Sequence, residues 1–176
     1  NPRRTTQVVT TRGSDWWRTV TTFDSTFTSP TYSFGNPLTV AIDSNVSTTP
    51  RTTTTAYIHN KPIWVLGLPD TTAINGRAIN KFYYDALGRK SAEDLYGARV
   101  ADYTYHTTAA YAGSLYSVKD ALNRISYALN WKRGAPQQIT QADGSNVYQT
   151  IDDNGWLMSS TDAKGFVTNY TRDSMG

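Results

Sequence analysis

TDAKGFVTNYTRDSMG, residues 161–176, contains Asp-x-x-Gly twice, at Asp162 to Gly165 and at Asp173 to Gly176, with Tyr170 just before the second. The same pattern stands upstream at Asp85 to Gly88, at Asp152 to Gly155 and, with asparagine in the last place, at Asp120 to Asn123. The last three copies begin ten and eleven residues apart, the length of one short strand plus one tight turn. A type I turn favours Asp at its first position and Gly at its fourth. The carboxylate accepts backbone N–H groups just ahead of it, and glycine takes the positive φ that lets the next strand start. Asn123 fits the rule, because asparagine is the residue that best tolerates the left-handed region after glycine.

Between these turns the chain alternates as strands do. Phe166, Thr168 and Tyr170 fall on one face and Val167 and Asn169 on the other; Val147, Gln149 and Ile151 oppose Tyr148 and Thr150. Neither face is consistently apolar, which predicts a broad antiparallel sheet with one wet side and aromatic pairs across strands. The composition agrees: 12% of residues are aromatic and only 18% charged, against about 25% charged in an average domain. Threonine, tyrosine, valine and tryptophan suit a pleated, half-buried surface, while long amphipathic helical runs are scarce. The expected class is all-β.

The texture of the chain changes along its length. Residues 1–60 read as an aromatic- and threonine-rich β region, punctuated by turn signals at Ser29-Pro30 and Gly35-Asn36-Pro37. STTPRTTTT, residues 47–55, suits either a linker broken by Pro50 or an edge strand. Residues 61–176 carry the turn ladder. Ile63-Trp64-Val65-Leu66, the most apolar stretch, is the best candidate for a fully buried strand, and residues 92–103 are the one place where a helical turn is expected. The chain begins at Asn1 and stops at Gly176, inside a motif, which suggests a piece of something longer.

KFYYDALGRKSAEDLYG, with Tyr84-Asp85 followed by Gly88-Arg89, and TDAKGFVTNYTRDSMG, with Asp162, Gly165, Tyr170, Asp173 and Gly176, resemble the tyrosine-aspartate (YD) repeats of the Rhs family. The resemblance is strongest from Ile63 to Gly176. It implies a long antiparallel β-ribbon of hairpins, wound into a spiralling sheet, a shell or a fibre. It further implies a structural, non-enzymatic role, either in a shell around a C-terminal toxin or in a secreted or cell-surface protein. The partners would be further repeats of the same chain or copies of it, a toxin domain, or surface glycans.

Chemical readings are weaker. Asp152-Asp153 is the one adjacent carboxylate pair on a repeat turn, but neighbouring residues of a turn point apart, so the pair is expected to bend the chain rather than divide acid and base roles. The motif aspartates match neither the EF-hand loop nor the nonapeptide calcium array, His59 and His106 lack ligand partners at helical or hairpin spacing, and there is no Gly-x-Ser-x-Gly elbow. No catalytic residue, metal ligand or cofactor site is expected. The net charge of +3 is spread along the chain, which does not signal nucleic acid, and no apolar run reaches the ~20 residues of a membrane span. Trp16, Trp17 and Trp131, with Tyr32 and Tyr148, offer flat rings that stack on sugar faces, so the alternative function is a self-assembling fibre or a carbohydrate-binding, adhesive module. Asn45 and Asn169 stand in the glycosylation acceptor pattern.

Overall fold

The computed structural model describes residues 6–24 and 34–172; the expected turn at Ser29-Pro30, Tyr32, and the repeat residues Asp173 and Gly176 lie outside them. Among the described residues fourteen antiparallel strands form one sheet whose spatial order is their order in sequence. The molecule is therefore all-β, with a single 3-10 turn among the described residues, at Lys61–Ile63. The chain falls into two compact units that divide between Arg99 and Val100.

The first unit contains β1 (Gln7–Arg12), β2 (Asp15–Phe23), β3 (Pro37–Ser44), β4 (Ser47–Asn60), β5 (Val65–Ile74), β6 (Arg77–Tyr84) and β7 (Lys90–Leu95). The threonine-rich stretch 47–55 belongs to β4, a strand of 14 residues, so it is not a linker. Its threonines sit opposite partners on both sides, Thr54 facing Thr39 of β3 and Ala73 of β5. A hydroxyl on a β-branched carbon packs well on a pleated surface that stays partly wet. Pro50, which has no N–H to give, falls where the β3–β4 register slips between Ile42 and Ser44.

Two local expectations are corrected here. Ile63-Trp64-Val65-Leu66 is not a buried strand: β4 and β5 pair up to Asn60 opposite Val65, so residues 61–64 must reverse the chain. A 3-10 turn begins at Lys61 with Pro62 in its first turn, and Trp64 takes a left-handed conformation at φ 55 with 75% of its surface exposed. Residues 92–103 form no helix. Tyr96 and Gly97, both at positive φ, make a tight turn between β7 and β8 (Ala98–Tyr105), and such a two-residue turn matches the twist of a hairpin.

The second unit continues with β9 (Leu115–Asp120), β10 (Ile125–Lys132), β11 (Ala135–Thr140), β12 (Asn146–Ile151), β13 (Leu157–Thr161) and β14 (Val167–Asn169). Its two faces differ. On one, Thr104 bonds Ser117 at 2.6 Å, Thr140 donates to Asn146 at 2.7 Å, and Ser159 donates to Thr150 at 2.9 Å. On the other, Ala128 lies opposite Ile139, which lies opposite Val147. That apolar side bounds a groove of ≈ 240 Å³ between Leu115, Val118, Ala128, Trp131, Pro136 and Ile139. Along β12 the burial alternates as period-two patterning requires, with Ile151 buried and Tyr148 and Thr150 exposed.

Among the described residues only Ala92 and Ile151 are buried apolar side chains, each 4% exposed. A sheet normally hides one face against a second layer. Here cohesion comes instead from backbone ladders and from cross-strand pairs, each worth about 0.2–1 kcal/mol.

Candidate functional site

The turns carry the recurring chemistry. At Asp85 the backbone closes twice: Asp85 N–H donates to the Arg89 carbonyl at 2.9 Å and Gly88 N–H donates to the Asp85 carbonyl at 3.0 Å. Oδ1 of Asp85 then accepts the N–H groups of Leu87 and Arg89, both at 2.9 Å, and Oδ2 accepts Nε of Arg89 at 2.7 Å. Asp120 repeats this set of bonds with Leu122 and Arg124, and Asn123, at φ 61, does the work of the glycine. Asp152 holds the N–H groups of Asn154 and Trp156, and Asp162 those of Lys164 and Phe166. Gly155 and Gly165 close their loops at φ 90 and 87. One carboxylate oxygen thus satisfies two N–H groups that a tight reversal would leave without partners.

A further copy lacks the leading aspartate. Gln141 N–H donates to the Ser145 carbonyl and Gly144 N–H to the Gln141 carbonyl, the same two closures, while Asp143 Oδ1 accepts Ser145 N–H at 2.9 Å. The Asp143-Gly144 dipeptide between alternating segments is the signal that finds it. It was missed in the sequence because the acidic residue sits third instead of first.

Electrostatics follow the bonds. The Arg124 side chain, then the backbone N–H groups of Arg124 and Leu122, hold the Asp120 carboxyl below its ordinary range. At Asp85 burial is the largest influence and pushes upward, but the N–H groups of Arg89 and Leu87 together with the Arg89 guanidinium outweigh it, and the carboxyl again lies low. Tyr84, the residue before Asp85, donates its hydroxyl to the Pro69 carbonyl at 2.7 Å, and burial pushes its phenol upward. It ties the β6 end to β5. Tyr170 instead uses its backbone N–H, which donates to the Met158 carbonyl at 2.9 Å, and its ring is 40% exposed.

The structure brings no carboxylate pair together for acid–base work at residues 152 and 153. Asp152 faces its own turn, whereas Asp153, 90% exposed, points to Lys132 at 2.9 Å. His59 accepts Gly67 N–H on Nδ1 at 2.9 Å, and His106 donates from Nε2 to the Ala128 carbonyl at 3.1 Å, with the rings of Tyr111 and Tyr116 beside it. Both histidines are engaged with backbone. Among the described residues no group of three His, Cys, Asp or Glu is placed to hold a metal. No helix among them is long and apolar enough to cross a membrane.

The tryptophans are dispersed. Trp16 and Trp17 are neighbours on β2, so their rings leave opposite faces of the strand, and the Arg18 guanidinium lies over Trp16 at 5.4 Å. Trp131 is half-buried in the second unit, its indole N–H shared by the carbonyls of Leu115 and Ala128. Trp64 and Trp156, outside the expected platform, are 75% and 48% exposed, and the Arg172 guanidinium covers Trp156 at 4.8 Å. Asn45 of the first glycosylation pattern is itself a cap, accepting Trp16 N–H and donating to the Ser14 carbonyl, while Asn169 is exposed on β14.

No family model matches the chain and no curated protein matches its sequence. The fold is similar to solved ones. The crystal structure of TcdB2-TccC3 without its hypervariable C-terminal region superposes with a TM-score of 0.59 at 12% identity, over 90% of this chain and 11% of that one. TcdB2-TccC3-Cdc42 gives 0.58 at 12% identity, over 92% and 12%, and TcdB2-TccC3 alone gives 0.57 at 13%, over 90% and 12%. This chain thus spans only 11–12% of the length of those chains, and the likeness is one of fold.

Proposed function

We infer that this chain is a structural, non-enzymatic stretch of an Rhs/YD-repeat protein, a length of β-ribbon whose work is to form wall. The observation that carries this reading is the recurrence of one hydrogen-bonded turn at Asp85, Asp120, Gln141, Asp152 and Asp162. Each links consecutive strands, so the motif sets the course of a meander. The carboxylates of the motif aspartates Asp85, Asp120, Asp152 and Asp162 are occupied by backbone N–H groups of their own loops. A sheet with so few buried side chains is suited to bounding a space or covering a surface, where another layer or another turn of ribbon meets it. One of the similar structures lacks a hypervariable C-terminal region; by analogy, the protein that contains this ribbon would carry a separate C-terminal cargo, such as a toxin domain, inside a secreted or cell-surface shell.

Exposed tryptophans favour one second reading. Trp17, Trp64 and Trp156 present ring surface, which suits an adhesive ribbon that stacks on glycans.

Intact mass of the denatured chain from its natural source tests the first reading. A mass several times 19.6 kDa is expected, with the remaining sequence consisting of more such turns followed by an unrelated domain. A mass near 19.6 kDa would overturn the wall reading.

A further inference from the structure

Two Asn-Gly dipeptides occur in the chain, Asn75-Gly76 and Asn154-Gly155, and the fold treats them differently. Asn75 opens the two-residue turn between β5 and β6, with φ 48 followed by 80 at Gly76. It is clamped on both sides of its own Cα: its side-chain Oδ1 accepts Thr52 N–H at 2.7 Å, and its N–H donates to the Thr52 carbonyl at 2.8 Å. Asn154 lies on the exposed apex of the Asp152 turn, and its side chain bonds none of the described residues. The nitrogen that follows it is also the most loosely held of its class. Gly155 N–H reaches the Asp152 carbonyl at 3.3 Å, against 3.0 Å at Gly88, Asn123 and Gly165 and 2.9 Å at Gly144. At that length the bond is past the usual range for N–H···O.

We propose that Asn154 is a site of spontaneous backbone modification, at which the Gly155 nitrogen attacks the Asn154 side-chain amide. The nitrogen loses its proton to solvent and forms a bond to Cγ, the Cγ–Nδ2 bond breaks, and ammonia leaves with a proton from water. The five-membered imide that results is opened by one water molecule to aspartate or to β-linked isoaspartate. No oxidant or cofactor is consumed. Glycine permits the approach because it has no side chain to obstruct the nitrogen.

The product matters to the turn. A β-linkage inserts a carbon into the backbone between positions 154 and 155, inside the loop in which Asp152 Oδ1 holds the N–H groups of residues 154 and 156 at 2.9 and 2.8 Å. Either product also places a new carboxylate beside Asp152 and Asp153. The β12–β13 hairpin is thereby the joint of the ribbon that loosens with age, while β5–β6 is protected.

Peptide mapping of the intact chain, held at physiological temperature in mildly alkaline buffer, tests this. The expected result is a gain of one mass unit at Asn154 about tenfold faster than at Asn75, the factor that corresponds to keeping one extra hydrogen bond on the protected amide. In strong denaturant the two rates should converge. Asn154→Gln should abolish the change at that site and leave Asn75 as it was. Native rates at Asn75 equal to or above those at Asn154, or a native ratio no larger than the denatured one, would overturn the proposal.

Discussion

At Asp85, Asp120, Asp152 and Asp162 a single carboxylate oxygen organises the turn by taking the N–H groups two and four residues ahead, and this gives the aspartate a measurable worth. Asp85→Ala removes both acceptors and the Arg89 ion pair from a half-buried loop, and should cost about 1–2 kcal/mol of stability. Asp85→Asn keeps a side-chain oxygen for the two N–H groups and loses mainly the ion pair, so its cost should stay below about 1 kcal/mol. Equal losses of melting temperature for the two variants would show that charge, not the loop's hydrogen bonds, is what matters. The same bonds fix a dependence on pH. Asp85, Asp120 and Asp143 all have carboxyls held below their ordinary value. Their folded state therefore binds fewer protons than the unfolded chain, and the stability they contribute is complete above the ordinary carboxylate value of about 4 and lost as pH falls through the lowered ones. Thermal scans should show a melting temperature that falls in that acid window, less steeply in Asp85→Asn. A temperature that is flat or rises there would contradict the assignment.

At the scale of the element, the glycines separate two kinds of constraint. Gly165 has φ 87 with open space around it, whereas Gly88 has φ 78 and a side chain there would meet Val65 Cγ1 at 2.6 Å. Gly165→Ala should cost about 1 kcal/mol for the left-handed backbone alone, and Gly165→Val somewhat more because its β-branch resists that region. Gly88→Ala adds overpacking and should cost about 2–4 kcal/mol. Urea unfolding of the variants checks the order, and a Gly88→Ala loss no larger than that of Gly165→Ala would refute it. These turns were legible in the sequence because their chemistry is local: Asp and Gly at fixed offsets dictate four residues without reference to the rest of the chain. What was not legible depended on pairing. Ile63 to Leu66 look like a core strand by composition, yet the pairing of Asn60 with Val65 leaves residues 61–64 to turn. Residues 92–103 contain good helix formers, yet β7 already has β6 as a partner, and Tyr96-Gly97 supplies the next reversal. The Thr-rich stretch had two readings until its neighbours on both sides were known. Trp16 and Trp17 share flat rings but not a face of the strand, since facing alternates along β2 whatever the residue type.

At the scale of the whole molecule, the sheet keeps sequence order through fourteen strands, and among the described residues its apolar side chains are scarcely buried. Hairpins of this sort are marginal alone and gain stability from each neighbour added to the ladder. A ribbon built this way can lengthen by repeating one turn and one strand, and it needs no centre. The most direct measurement is electron cryomicroscopy of the native-length protein, with this stretch located in the density. Residues 6–24 and 34–172 are expected to lie in a β-wall or ribbon, with further hairpins of the same kind beside them. Density in which the stretch is folded face to face against a second layer as a closed two-layer domain, with its carboxylates converging on a pocket, would contradict it.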